Sequence, residues 1–378
     1  MTDLNHTPPL CALLMAGGSG LRLWPLSRPN RTKPLIRRLG NEGGASLLAE
    51  TAARLPSVPP ECLFVNVTRG LESEIKKHLP LVPRSNIIVA PEDRDTLPTL
   101  LFATSHIAQR YPDATLLLLA SDNLIEGLPA FHETIHRAVR AAREGAHLVS
   151  IGIAPTAPSS RFGYMELGEP YAGIDETWYG VGYLEKPSLE VATRLVQGGM
   201  HDWNSGMFAW TIETFRRALE AYAPEEASVF RTLSETTNHD QRAKAFCTLR
   251  AAAVDTGLLE KIPREKGHAR HVFVRGRFGW DDLGTIDALA EELPSDAEGN
   301  RRSGNTTVTT CKSGIFISEG PFALDVRGLE NACVVVSDVG DTLIASRDAL
   351  PEIRAMLAAR REVLLSPGAS GGSMPRAW

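Results

Sequence analysis

Cysteine is scarce. The five in 378 residues (Cys11, Cys62, Cys247, Cys311 and Cys333) are scattered, odd in number and never form a C-x-x-C pair, so they read as reduced core thiols and not as a disulfide framework. Long apolar runs are missing too. No stretch reaches the length of a membrane span, and residues 1–9 are polar where a secretory signal would be basic and then apolar. The expected location is the cytoplasm, with no membrane partner. Positive charge has no surplus: 40 Lys and Arg stand against 45 Asp and Glu, a formal net charge of −5, which leaves no field to gather a polyanion and argues against nucleic acid. A small phosphate-bearing ligand stays compatible, because a few local cations and backbone amides suffice to hold one.

What is there is ordinary globular composition, 43% hydrophobic and 22% charged, in a chain long enough for a large α/β domain and an appendage. Cys11 to Met15 is an apolar run that stops at a glycine loop, the pattern of a buried strand entering a nucleotide-type βα unit. Further β-like runs lie at Cys62–Val67, Asn86–Ala90, Thr115–Ala120 and His147–Ile153, with helical spacing at Leu47–Leu55, Leu97–Gln109 and Phe131–Ala142. That alternation predicts a Rossmann-like α/β fold with a mixed, mostly parallel sheet and ligands at the strands' carboxyl ends. The shorter aromatic and glycine-rich segments from Gly163 to Trp210 suggest an inserted or extended sheet closing over the first half. Thr214–Arg250 reads as helical, restarted at Pro224. The expected division is a catalytic domain over 1–294, then a β appendage and final helix over 295–365, with a short left-handed β-helix as one candidate topology, and a flexible tail over 366–378. The appendage strands are too short to bury a core alone, so they should pack on the catalytic domain or on a second subunit.

Three segments carry the chemistry. The first is Met15-Ala16-Gly17-Gly18-Ser19-Gly20-Leu21-Arg22-Leu23-Trp24-Pro25-Leu26-Ser27-Arg28, followed by Lys33-Pro34. Glycines after a strand let backbone N–H groups approach phosphate oxygens, and the nearby cations fix positive charge there. The spacing lacks both the G-K-[ST] of the P-loop and the G-x-G-x-x-G of dinucleotide binders. In the second, the strand Leu116–Ala120 runs out on Asp122, a place for a Mg²⁺ carboxylate or for an ordinary turn cap. The third is Phe278-Gly279-Trp280-Asp281-Asp282-Leu283-Gly284-Thr285, whose acids could equally cap the helix starting near Thr285.

The first string as a whole resembles the signature of sugar-nucleotide pyrophosphorylases, and its Trp-Pro-Leu-Ser ending is similar to the mannose-1-phosphate guanylyltransferase branch. The resemblance runs from about Leu10 to Leu289 and weakens through Ala345. It implies that Ala16, Gly17, Gly18 and Gly20 cradle a triphosphate, that Arg22 offsets charge on departing pyrophosphate, and that Lys33 contacts the phosphates around the transferring phosphorus. Asp122 and Asp282 would share one Mg²⁺, with Asp281 the competitor for the second place. Glu185 and Asn204, in Gly182–Pro187 and Trp203–Phe208, would hold sugar hydroxyls, Lys186 the 1-phosphate, and Gly163 would let a backbone amide approach the sugar.

Four positions depart from the family pattern. Leu21 stands where Thr is usual and Asn123 where His is. In the expected base loop Ala90–Pro98, with Arg94, Asp95 and Thr96 as nucleotide contacts, Asp95 and Leu97 replace the usual Asn and Ala. A buried Asp95 carboxylate could accept from the N1–H and N2–H₂ donors of guanine. The implied reaction is in-line attack of mannose 1-phosphate on the α-phosphorus of GTP by a monofunctional enzyme, with a homodimer left open. The rivals are another sugar 1-phosphate or nucleotide on the same fold, and a silent sugar-nucleotide sensor.

Overall fold

The computed structural model describes residues 8–18, 20–41, 43–263 and 267–358. In chain order the first part carries β1 (Leu10–Ala16), β2 (Leu63–Val67), β3 (Ile87–Val89), β4 (Thr115–Ala120), β5 (Leu124–Glu126), β6 (His147–Ile153), β7 (Tyr164–Pro170), β8 (Thr177–Leu184), β9 (His201–Thr211), β10 (Arg270–Gly276) and β11 (Gly279–Asp281). Nine of them form one sheet in the order β3-β2-β1-β4-β9-β6-β10-β8-β7. Only β8 and β9 run against the rest, so the sheet is mixed and mostly parallel by direction. β1, β4 and β6 read as near-continuous apolar runs because helices such as Thr96–Ala108 and Leu128–Glu144 cover them.

The segment Gly163–Trp210 does not close over the first half. Its last strand, β9, is threaded between β4 and β6, with Met207, Phe208, Ala209 and Trp210 all buried. Entering antiparallel, β9 overshoots the sheet at its His201 end. A register shift between Ile151 and Gly152 then lets it turn to pair with β7, Tyr164 opposite Trp203. Asp202, fully buried at that bend, is held by Arg275 Nε at 2.8 and 3.1 Å. Burial outweighs that partner and pushes the Asp202 carboxyl up to about 6.

The C-terminal strands are β12 (Arg301–Gly304), β13 (Thr306–Thr309), β14 (Ile315–Ser318), β15 (Leu324–Arg327), β16 (Ala332–Val336) and β17 (Thr342–Ser346). β12, β14 and β16 stack in parallel, as do β13 and β15, and β17 closes antiparallel on β16. Ile315, Ile317, Cys333, Val335 and Leu343 do not make a core of their own. They share one with Leu23, Trp24, Leu26 and Ile36 of the glycine-loop segment and with Leu283, Ile286 and Leu289. Ion pairs Arg31–Glu319 (2.5 Å), Arg28–Asp338 (2.6 Å) and Arg347–Asp287 (2.8 Å) rim that contact. The strands therefore back the segment that presents Arg22 and Lys33. Residues 353–358 are helical, whereas the rest of the expected final helix and the tail from Ser366 lie outside the described residues. No helix among the described residues is long and apolar enough to cross a membrane.

Candidate active site

β1 ends at Ala16, and Gly17 and Gly18 carry the chain over the sheet's carboxyl edge. Gly20 has φ +60, and a Cβ there would lie 2.9 Å from Lys33 Cβ and 3.1 Å from Lys33 N, so only glycine lets the loop close on Lys33. Ser27 Oγ donates to Gly20 O at 2.6 Å and fixes the closure. Lys33, on the 3-10 turn Lys33–Leu35, sends its Nζ to Asp122 Oδ2 at 2.9 Å and to the Asp282 carbonyl. Both segments come to Lys33 because β5 and β11, which follow Asp122 and precede Asp282, pair antiparallel with Leu124 opposite Asp281; Lys33 reaches the side chain of Asp122 but the backbone carbonyl of Asp282. Asp281 Oδ1 accepts from Leu283 N (2.6 Å), which tethers the loop, and more distantly from Arg161 Nη2 (3.3 Å). Asp282 Oδ1 accepts from Arg161 Nη2 at 2.6 Å and from Gly284 N at 3.2 Å. Neither acid caps the following helix, a task taken by Thr285. Arg22 is exposed and has no hydrogen bond or ion pair among the described residues.

Arg161 leads directly into Phe162 and Gly163. A Cβ on Gly163 would sit 2.5 Å from Glu185 Oε2 and 3.7 Å from Asn204 Cβ, and Gly163 O accepts from Asn204 N at 2.8 Å. Gly163, Glu185 and Asn204 thus form one wall, with Lys186 on its rim paired to Glu185. Asn204 Nδ2 donates to Asp255 Oδ1 at 3.1 Å. Burial, with Glu185 nearby, raises the Asp255 carboxyl above the usual carboxylate range.

On the other side of the glycine loop lies a cavity of about 320 Å³ whose lining includes Gly17, Gly18, Asn66, Arg69, Asp95 and Thr99. Of the three expected base-loop residues, Asp95 and Thr96 line it and Arg94 does not. The Arg94 guanidinium is turned onto Glu92 (2.7 Å) and the Leu249 carbonyl. Asp95 is exposed, not buried. Its carboxylate accepts from Thr96 N at 2.7 Å at the head of the helix Thr96–Ala108, on a backbone with φ 67 and ψ −172.

Residues 11–299 match the nucleotidyl transferase family. The chain belongs to that family. The mannose-1-phosphate guanylyltransferase of Escherichia coli is 30% identical over 354 residues, 91% of this chain and 72% of the relative. That of Sinorhizobium fredii is 32% identical over 341 residues, 88% of this chain and 64% of the relative. A structure solved as mannose-1-phosphate geranyltransferase from Thermus thermophilus superimposes with TM-score 0.79 at 28% identity, over 93% of this chain and 99% of that one.

Three of the four departures of this nucleotidyl transferase from the family pattern have local explanations. Leu21 packs against the core shared with the C-terminal strands. Asn123, in the amide orientation that satisfies both neighbours, donates to Asp122 Oδ1 (3.2 Å) and accepts from Trp280 Nε1 (2.9 Å), so it anchors the acid to β11. Leu97 fits because residue 257 has no Cβ: one placed there would lie 2.6 Å from Leu97 Cδ2. Gly257→Ala should cost about 1–2 kcal/mol by overpacking, after the better helix propensity of Ala offsets part of the strain. Thermal unfolding checks it, and Leu97→Ala combined with Gly257→Ala should be less damaging than the two effects summed.

Sequence reasoning missed Arg161, Asn66, Arg69 and Asp255. Arg161 adjoins a motif and could have been suspected. The other three lie in stretches without spacing or composition that marks them.

Proposed function

We propose that this nucleotidyl transferase moves a guanylyl group from GTP to mannose 1-phosphate. A phosphate oxygen of the sugar phosphate attacks the α-phosphorus, the bond to the β-phosphate oxygen breaks, and GDP-mannose and pyrophosphate result. The observation that carries the reading is a continuous series of contacts that runs from the glycine loop to the Asp95 cavity. Gly20 seats Lys33, Lys33 joins Asp122 to Asp282, and Asp282 holds Arg161 ahead of Gly163. Gly163 binds Asn204, Asn204 reaches Asp255, and Val254 N donates to Thr96 Oγ1 at 2.8 Å beside the Asp95 cavity. Such a series fits a nucleotide at one end, a sugar at the other and phosphates between them. The names of the relatives favour guanine and mannose as those two ligands.

In this reading Gly17, Gly18 and Gly20 offer amides to the triphosphate with Ala16 at their base, Arg22 faces the departing pyrophosphate, and Lys33 contacts the transferring group. Glu185, Asn204 and the Gly163 loop read sugar hydroxyls, and Lys186 holds the 1-phosphate. Mg²⁺ fits the donor set. Asp122 and Asp282 are hard oxygen donors, each already facing a cation, and carboxylates of this kind suit an ion that takes one or two of them together with substrate phosphates. When bound there it would supply charge neutralisation to the phosphates. Catalysis by the chain's own groups is positioning and fixed charge, with no covalent enzyme intermediate.

Two variants separate the sides of the cleft. Lys186→Ala should raise KM for mannose 1-phosphate about tenfold or more with a smaller change in kcat, since an exposed cation that binds ground and transition states alike acts mainly on KM. An unchanged sugar KM would remove Lys186 from its place. For the base, Asp95 sits in a backbone conformation that non-glycine residues hold at a cost of about 1–3 kcal/mol, the kind of strain that collects at functional sites. Its carboxylate keeps acceptor capacity beyond the Thr96 bond. Initial rates with GTP, ATP, UTP and dTTP should favour GTP by about tenfold to a hundredfold. Asp95→Asn, which tolerates the same backbone, should erode that preference and spare the sugar KM. Equal rates for all four nucleotides in the native protein would overturn the guanine assignment.

A further inference from the structure

Asp255 has no ligand assigned to it in the scheme above, yet its carboxylate meets Asn204 of the sugar-side wall. It lies on the short helix Val254–Gly257, whose position is set from the nucleotide side: Leu97 N donates to Ala252 O at 2.9 Å, Val254 N to Thr96 Oγ1 at 2.8 Å, and Leu97 fills the space at Gly257. Its side chain is half-buried. One carboxylate oxygen accepts from Asn204 Nδ2 at 3.1 Å, while Asn204 Oδ1 accepts from Gly206 N at 3.1 Å. No Lys or Arg pairs with Asp255 among the described residues, whereas the neighbouring Glu185 has Lys186. A half-buried carboxylate beside a second carboxylate, with acceptor positions to spare and no cation, calls for neutral donors. Sugar hydroxyls are such donors.

We propose that Asp255 is a specificity-determining residue whose carboxylate accepts a hydrogen bond from one hydroxyl of the sugar 1-phosphate, next to Asn204. This rests on the assignment of the Gly163–Glu185–Asn204 wall to the sugar. Two carboxylates on either side of an amide read the relative orientation of neighbouring hydroxyls. An epimer that moves one hydroxyl off that line leaves Asp255 desolvated and unpaired, and is rejected.

A cycle with deoxy substrates distinguishes direct contact from mere support of Asn204. The full chain and its Asp255→Ala and Asp255→Asn variants are assayed with GTP and with mannose 1-phosphate or its 2-, 3-, 4- and 6-deoxy analogues. In the native protein one analogue should lose roughly tenfold to a hundredfold in kcat/KM, the size of a charge-assisted hydrogen bond. In the Ala variant that same deletion should cost less than about threefold, because the partner has already gone, and in the Asn variant its cost should fall below that in the native chain, because a neutral amide oxygen replaces the carboxylate. The KM for GTP should hold. The Asn variant, equal in shape, carries the cycle if the Ala variant does not fold. Deoxy penalties as large in the variants as in the native chain, at every position, would overturn the proposal. Native turnover of a different hexose 1-phosphate in place of mannose 1-phosphate would overturn the sugar assignment alone, and the same cycle on that hexose's deoxy analogues would then decide Asp255.

Discussion

Asp122→Ala should lower kcat by about a thousandfold, with Asp282→Ala close behind and Asp281→Ala costing only about tenfold. The order follows from what each carboxylate does. Asp122 is held from two sides, by Lys33 and by Asn123, at the end of a buried strand, and its side chain is only 25% exposed. A group fixed that firmly costs little reorganisation when phosphate charge arrives, which is where electrostatic catalysis gains most. Asp281 spends one oxygen on Leu283 N and sits in the β5–β11 ladder, and that same oxygen makes only the longer of the two carboxylate contacts to Arg161, 3.3 Å against 2.6 Å for Asp282, so its loss mainly loosens the loop. Single-turnover rates at saturating substrates, with thermal unfolding as the control for folding, check the order. Equal losses for Asp281→Ala and Asp282→Ala would mean that the assignment of the two neighbours is wrong.

Arg22→Ala is the second large loss, about a hundredfold to a thousandfold in kcat with the sugar KM within about threefold of native. Lys33 is engaged twice by the protein, whereas Arg22 projects from the same loop without a partner among the described residues. Its guanidinium is therefore the cation of that loop most available to a developing pyrophosphate charge. Arg22→Lys should recover only part of the rate, because an ammonium cannot offer the two-pronged contact of a guanidinium to phosphate. A mere rise in the KM for GTP, with kcat intact, would make Arg22 a binding residue and not a stabiliser of the leaving group.

The strands that position these groups were readable from apolar runs. Thr115–Ala120 and His147–Ile153 are strands at those same bounds, and the glycine loop does follow the first strand. What escaped reading is non-local. β9 is reversed and enters the sheet from the far side, and nothing in Met207–Trp210 says whether such a run lies in the middle of a sheet or on a lid. β5 and β11 are three residues each and owe their existence to one another across more than a hundred positions. Arg94 and Asp95 were both read as base contacts, and only the fold distinguishes them. Arg94 is captured by Glu92 and Leu249 O, while Asp95 stays on the cavity wall as an exposed helix cap. Asp255 had no signal at all, because its neighbours Asn204 and Thr96 approach it from distant segments.

The central claim is a transfer in which neither substrate reacts without the other. The direct measurement is the stoichiometry of products when GTP, mannose 1-phosphate and Mg²⁺ are mixed with the full chain and separated by chromatography. GDP-mannose and pyrophosphate should appear in equal amounts, and pyrophosphate release should stop when mannose 1-phosphate is left out. Release of pyrophosphate or phosphate from GTP at the same rate without the sugar phosphate, or no GDP-mannose with all three present, would contradict it.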